Sequence, residues 1–213
     1  MIDPLYQHLL AQECKARKIP VIMDEIFSGI WRLGRISACR IPRILPDIAC
    51  YAKLLTGGTV PMAVTLASES VFTTFLGDKK TDALLHGHSY TAHAIGCQAA
   101  VASMQSYMDP KLNPNFKGID EPLVEQWDPS RLAVLSKHPK VSRVVGLGTV
   151  VIVEVKGEGT GYEAKGAKEI VIKLRDYGIA ARPLGNVVYF MATPTTTPAL
   201  CNELLDKLSA HLG

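Results

Sequence analysis

Three apolar runs, each too short to be a helix and each introduced by a proline, constrain the fold of this chain most. Val21, Ile22 and Met23 follow Pro20, residues 47–51 follow Pro46, and residues 61–67 open on Pro61. Runs of this length, bounded by helix breakers, suit buried strands. Between them the pattern turns helical. Asp3-Pro4 is a cap and first-turn signal, after which Tyr6, Leu9, Leu10 and Cys14 recur at helical spacing and Lys15, Arg17 and Lys18 suit the negative terminus. Helices are also predicted over residues 69–76, stopped by Gly77, and over the alanine-rich residues 92–107. Alternating strands and helices argue for an α/β layer.

Residues 109–130 contain Pro110, Pro114, Pro122, Pro129 and Gly118 and read as a linker or long loop. Beyond them a strand is predicted over 144–155. A helix over 165–177 carries Ile170, Val171, Leu174 and Tyr177 on one side and stops at Gly178. Strands at 179–182 and 187–191 flank a turn at Pro183-Leu184-Gly185, and Thr197-Pro198 caps a last helix with Leu200, Leu204, Leu205, Leu208 and Leu212 on its apolar side. The expected organisation is a larger α/β domain over residues 1–108, a connection over 109–130 and a small α+β domain over 131–213, without internal repeats.

Composition excludes several classes of function. The net charge is only +3, and the two basic groups, Lys15 to Lys18 and Arg32 to Arg43, lack the interleaved aromatics of a nucleic-acid surface. Residues 83–108 contain no Asp, Glu, Lys or Arg. His86, His88, Ser89, Thr91, His93 and Gln98 interrupt the stretch, so it reads as a polar loop before a buried helix and not as a membrane span. Five cysteines without a C-x-x-C pair fit a reducing compartment. Met1 leads directly into a helix start, with no signal or transit peptide in view.

The chemistry centres on Lys53, the single charged side chain between Ile48 and Ala67. Burial disfavours a charged amine and lowers its pKa from about 10.4 toward neutrality, which makes it a nucleophile suited to Schiff-base chemistry. Asp24 and Glu25 follow the first apolar run, and His86-Gly87-His88-Ser89-Tyr90-Thr91 precedes the alanine-rich helix. In an open α/β sheet the ends of three strands would bring these groups together at the carboxyl edge. An amine, a carboxylate and a helix entrance suit pyridoxal phosphate: Lys53 for the aldehyde, Asp24 for the pyridine nitrogen, Ser89 and Thr91 with backbone amides for the phosphate. Spacing alone leaves a cofactor enzyme and a plain α/β domain both open. His86, His88 and His93 also raise a zinc site, but no acidic partner is close in sequence and no metal is expected.

The residues from Asp24 to Gly29, Pro46-Asp47-Ile48, Lys53 29 positions after Asp24, and Thr56-Gly57-Gly58 together resemble the signature of class III aminotransferases of PLP fold type I. Within that class the nearest likeness is to the adenosylmethionine-8-amino-7-oxononanoate aminotransferases. Trp31-Arg32-Leu33-Gly34, where generic members tend to have Gly-Arg-Thr-Gly, and residues 85–93 are similar to the eukaryotic type often fused to dethiobiotin synthetase. Arg182-Pro183 followed by Tyr189 is similar to the family's C-terminal motif. The resemblance covers nearly the whole chain but only the latter half of a family member.

It implies part of a large domain, a mostly parallel sheet with helices, plus a C-terminal small α+β domain. It implies pyridoxal 5'-phosphate held by Lys53 and Asp24, with its phosphate at Gly87, His88 and Ser89, commonly across a homodimer interface. Arg182 would receive the carboxylate of 8-amino-7-oxononanoate and Tyr189 would line that pocket. S-adenosylmethionine would be the amino donor and 7,8-diaminononanoate the product, in biotin biosynthesis. Met191-Ala192-Thr193-Pro194 departs from the family's Met-Pro-Pro. The family's upstream phosphate loop and ring-stacking aromatic have no counterpart here, so a non-catalytic fragment is the competing expectation. A sheet lacking its first strands would expose apolar edges. Family members of the fused type are often mitochondrial, which gives a mitochondrial or cytoplasmic setting.

Overall fold

The computed structural model describes residues 2–87, 89–159 and 161–212. By backbone contacts the chain forms two units, one comprising residues up to Ile30 together with Arg35–Ser106, the other Trp31–Gly34 together with residues from Tyr107 onward.

The first unit opens with α1 (Pro4–Ala16), where the Asp3 carboxylate accepts hydrogen bonds from the backbone N–H groups of Leu5 and Tyr6 and Pro4 takes the first turn. No residue of α1 is buried, and Leu5, Tyr6, Leu9 and Leu10 are exposed. Three strands follow, β1 (Ile22–Glu25), β2 (Ile48–Tyr51) and β3 (Val64–Ala67), in the spatial order β1-β2-β3. β1 runs parallel to β2 with Asp24 level with Cys50, while β3 runs antiparallel to β2. The short α2 (Glu69–Thr74) and the longer α3 (Ala94–Met108) complete the unit's elements.

Two expectations fail here. Segment 86–91 does not continue a strand, because β3 points the other way and a short 3-10 turn (Lys80–Asp82) intervenes. The helix expected to be buried is one-sided: Ala100 is buried while Ile95 and Val101 are exposed. Its inner face is lined by small residues, with Gly96 lying against Met62.

In the second unit, residues 109–128 contain no helix or strand yet are anchored. Asn115 Nδ2 donates to the carbonyls of Pro194 and Thr196, and Gln126 Nε2 donates to those of Thr193 and Thr196. These buried amides satisfy the carbonyls of the Thr193–Thr196 turn, where water would otherwise be needed. Asp128-Pro129 then starts α4 (Pro129–Ser136) by the same capping chemistry as α1. The single strand expected over 144–155 is a hairpin of β4 (Val141–Leu147) and β5 (Val150–Val155). Leu147 pairs with Val150 across a two-residue Gly148-Thr149 turn, a loop length that favours glycine at positive φ.

After α5 (Gly166–Asp176), β6 (Arg182–Leu184) and β7 (Val187–Met191) form a second hairpin. Its turn is Gly185-Asn186, two residues later than expected, because Pro183 is accommodated within β6 opposite Val188. The order β4-β5-β7-β6 makes β6 an edge strand, where a residue without an N–H is tolerated. The chain ends in α6 (Pro198–His211), capped by Thr197. Val151, Val153, Val188 and Phe190 from the sheet pack with Val171 and Leu174 of α5 and Leu205 and Leu208 of α6. Full burial of such side chains contributes about 1.5–3 kcal/mol each. The core therefore occupies the helix-covered face, and the alternate residues, Ile152 and Tyr189 among them, lie on the other.

Candidate functional site

Lys53 begins the 3-10 turn Lys53–Thr56 directly after β2, and the turn buries Leu54, Leu55 and Thr56 while leaving Lys53 exposed. The expectation of a buried amine is therefore corrected: the uncharged surroundings that suggested burial are the neighbours that plug the turn into the core. Its backbone is left-handed at φ 50°, a conformation it shares with Lys18, Ile30, Trp31, Arg43 and Ala92. For a non-glycine residue that conformation costs about 1–2 kcal/mol, and such strain collects at functional sites. The turn is fixed by Thr56 Oγ1 donating to the Val60 carbonyl at 2.7 Å and Thr59 Oγ1 donating to the Thr56 carbonyl at 2.8 Å.

Asp24 lies on the neighbouring parallel strand, near the same carboxyl end, and is exposed. Its Oδ1 accepts the Ile26 N–H at 2.9 Å, which turns the chain at the end of β1. That turn brings the Phe27 ring to 5.6 Å from Lys53 Nζ, within cation–π reach. Glu25, next in sequence, is 1% exposed and serves as scaffold. Its carboxylate accepts from Ser37 Oγ (2.6 Å), Ala38 N (2.6 Å) and Cys39 N (3.0 Å). Burial, then a hydrogen bond and the charge of Glu25, push the Cys39 thiol up to about 12. Gly29 has a packing reason, since a Cβ there would meet the Tyr51 ring and the Glu25 carbonyl.

Lys53 borders an open cavity of about 1440 Å³ whose other walls include Thr56, Met62, His86, Gly87, Tyr90 and Thr91. The structure thus brings Lys53 together with the 86–93 segment and with Gly87. Asp24 and Ser89 do not line this cavity, although both are exposed. His88 lies outside the described residues. His93 serves as a helix cap, its Nδ1 accepting the Gly96 N–H at 3.1 Å. Among the described residues no three His, Cys, Asp or Glu side chains cluster as metal ligands.

In the second unit Arg182 and Tyr189 are register partners on β6 and β7, with Ile152 next across the sheet. Paired residues share a face, so a guanidinium and a phenol stand side by side on the face away from the helices. Arg182 is exposed and Tyr189 partly buried. The motif residues 31–34 join this same unit. Arg32 Nη1 donates to the Ala192 carbonyl at 2.7 Å and to Thr149 Oγ1 at 3.1 Å, and Trp31 is wholly buried edge-on to Tyr107 and Phe116.

Sequence reasoning missed Glu25, Phe27 and Arg32 as working parts. An acidic residue beside Asp24, at a position where strand alternation turns its side chain to the opposite face, was the available signal for Glu25. Arg32 offered only its place in the 31–34 motif. Phe27 had none beyond its nearness to Asp24.

The class III aminotransferase family profile matches residues 1–212. Among curated relatives, the chain is 50% identical to the mitochondrial bifunctional dethiobiotin synthetase/7,8-diamino-pelargonic acid aminotransferase of Arabidopsis thaliana, over 100% of this chain and 26% of the relative. It is 33% identical to the adenosylmethionine-8-amino-7-oxononanoate aminotransferase of Synechococcus elongatus, over 98% of this chain and 49% of the relative. Among solved structures, that of the adenosylmethionine-8-amino-7-oxononanoate aminotransferase from Methanocaldococcus jannaschii superposes with a TM-score of 0.81 at 28% identity, covering 97% of this chain and 48% of that one. A transaminase from a marine Virgibacillus gives a TM-score of 0.83 at 17% identity, covering 100% and 49%, and shows the shared fold. The chain spans about half the length of the single-function relatives and about a quarter of the bifunctional one. With the profile matched from the first residue to the last but one and the fold shared, this chain belongs to the class III aminotransferase family.

Proposed function

We propose that the chain serves pyridoxal-phosphate-dependent transamination, converting 8-amino-7-oxononanoate to 7,8-diaminononanoate in biotin biosynthesis with S-adenosylmethionine as amino donor. The observation that carries the reading is the strained, exposed Lys53 at the mouth of a cavity shared with the 86–93 segment. The 50% identity to a relative named as a diamino-pelargonic acid aminotransferase supports the choice of substrate.

The residues present fit the cofactor in kind. Lys53 supplies a reachable amine, Asp24 an exposed carboxylate at the adjacent strand end, and Thr91, with the backbone around Gly87, donors on the cavity wall. Lys53 would hold the aldehyde carbon, Asp24 the pyridine nitrogen, and Gly87, His88 and Ser89 the phosphate. Bound there, pyridoxal phosphate supplies an electron sink for negative charge at the substrate carbon. Lys53 Nζ would act as the base that takes the proton from the amine-bearing carbon of the donor and as the acid that returns one in the opposite half-reaction. Phe27, beside Nζ, limits the directions that the amine can take. Arg182 pairs with the substrate carboxylate by a two-pronged contact that a lysine would not reproduce, and Tyr189 beside it screens that contact from water.

Exposed Leu84, Leu85, Tyr90 and Ile95 flank the phosphate segment, which supports a homodimer that covers it. Five free thiols support a reducing compartment, mitochondrial or cytoplasmic. Among the described residues no helix is long and apolar enough to cross a membrane. The lack of any fully buried residue in α1 favours a second reading, in which cofactor binding requires further polypeptide to cover the first unit. The test is a transamination assay with S-adenosylmethionine and 8-amino-7-oxononanoate, read by mass spectrometry. Product that disappears in Lys53→Arg supports the first reading. Product formed undiminished by Lys53→Arg, or no product until the remainder of a relative is supplied in trans, overturns it.

A further inference from the structure

We propose that a second cavity in the first unit, bounded by α1, residues 37–47 and β3, binds a medium-chain aliphatic carboxylate. It measures about 630 Å³, inside the ~300–1,000 Å³ range of small-molecule sites. It shares no lining residue with the Lys53 cavity.

The walls are held by hydrogen bonds from three directions. His8 Nδ1 donates to the Pro42 carbonyl at 2.8 Å, tying α1 to the 37–47 segment. Asp47 Oδ2 accepts the Val21 N–H at 2.8 Å, and the Asp47 carbonyl accepts the Ser68 N–H at 2.8 Å, tying that segment to the strand region and to the end of β3. The helix presents His8, Ala11, Gln12 and Lys15 to the cavity, the i, i+3, i+4, i+7 set that shares one helical face.

Charge decides the class of ligand. Lys15, Arg40 and Arg43 line the rim, against the single carboxylate of Asp47, which is already engaged by a backbone N–H. The side chains of Lys15 and Arg43 form no ion pair among the described residues. The rest of the lining is mixed, with Ser37, Ser68 and Ser70 adding hydroxyls beside an apolar part. Ala49 and Leu66 face each other across β2 and β3 as a floor, with Ile44 and Val21 beside them. A cationic rim over an apolar floor fits an anionic head on a short hydrocarbon tail. Inorganic anions would leave the floor wet, and neutral alkyl chains would leave Lys15 and Arg43 without an ion-pair partner.

The test is isothermal titration of the unmodified chain, without pyridoxal phosphate, using sodium octanoate, 1-octanol and inorganic phosphate as probes. Saturable one-to-one binding of octanoate is expected. It should weaken about tenfold in the Lys15→Gln/Arg43→Gln double variant and weaken with added salt, as exposed charge pairs do. Ala11→Phe, which fills the cavity from an already partly exposed helix position, should abolish it even if the double variant folds poorly. The proposal is overturned by the absence of saturable octanoate binding. It is equally overturned by octanol binding as tightly with no salt dependence, by phosphate binding more tightly than octanoate, or by undiminished binding in Ala11→Phe. Because the readout involves neither Lys53 nor the cofactor, its failure is separate from that of the proposed transamination.

Discussion

Replacing Arg32 by methionine removes a charged clasp while keeping most of the buried hydrocarbon. Arg32 is 9% exposed, and its Nη1 donates to the Ala192 carbonyl and the Thr149 hydroxyl. Thr149 answers with its own N–H and hydroxyl, both donating to the Arg32 carbonyl at 2.9 and 3.1 Å. Hydrogen bonds from a charged donor contribute about 1.5–3 kcal/mol each, so the two contribute about 3–6 kcal/mol before desolvation. Burial works against the cation, as the downward pull on the Arg32 pKa shows, and recovers part of that loss in the variant. A net destabilisation of about 2–3 kcal/mol is expected for Arg32→Met. Arg32→Lys, with a single donor point, should fall between the variant and the parent. Urea unfolding followed by tryptophan fluorescence reads this directly, because Trp31 and Trp127 are both fully buried in the same unit. With a slope of about 1–3 kcal/mol/M, the midpoint should fall by about 0.7–3 M. A double-mutant cycle with Thr149→Val should show coupling near 1 kcal/mol. A loss under about 0.5 kcal/mol in Arg32→Met, or no coupling to Thr149, would refute the clasp.

The turn that Arg32 grips gives a second test. Gly148→Ala forces a Cβ at φ 58° into the backbone of Leu33 and Gly34 and should cost more than ~3 kcal/mol. Gly58→Ala, at φ 81° with open space around it, should cost about 1–2 kcal/mol, measured by urea unfolding followed by far-UV circular dichroism, since both tryptophans belong to the other unit. Glu25→Ala strands three donors and should lower stability by roughly 3 kcal/mol, with faster hydrogen exchange at Ala38 and Cys39. Cys39 and Cys201, whose thiols burial pushes up to about 12 and about 11, should resist iodoacetamide at pH 8 in the folded protein. Their raised values also fix a sign. Stability tied to the neutral thiols is complete below about pH 9 and is lost as pH climbs from there toward the folded values, and Cys39→Ala should flatten that alkaline decline.

The parts legible in the sequence were those whose cause is local. Asp3-Pro4 and Thr197-Pro198 announced α1 and α6 because capping is decided by residues adjacent in the chain. The same logic would have found α4 from Asp128-Pro129, but Pro129 had been counted among the loop prolines. The Gly148-Thr149 hairpin was hidden inside a continuous apolar run, where periodicity does not separate one long strand from two. Pro183 was read as a turn former, and only the strand order shows that it sits on an edge where no N–H is required. At the site, Lys53, Gly87, Arg182 and Tyr189 were legible as residues; Lys53 and Gly87 border one cavity and Arg182 and Tyr189 are register partners, whereas Asp24 and Ser89, expected beside Lys53, do not line that cavity. The exposure of Lys53 was not, because an apolar segment can bury its own turn and leave one side chain outside. Glu25 and Arg32 escaped because their partners lie 12 to 160 positions away, and such contacts exist only once the chain has folded.

The central claim, that Lys53 is the amine through which this chain holds its cofactor, is tested most directly by borohydride trapping. The purified chain is mixed with pyridoxal phosphate, reduced, digested and mapped by mass spectrometry. The account predicts a pyridoxyl mass confined to the peptide carrying Lys53 and absent in Lys53→Arg. A label scattered over solvent-facing lysines such as Lys15, Lys137 and Lys207, with Lys53 unmodified, would contradict it.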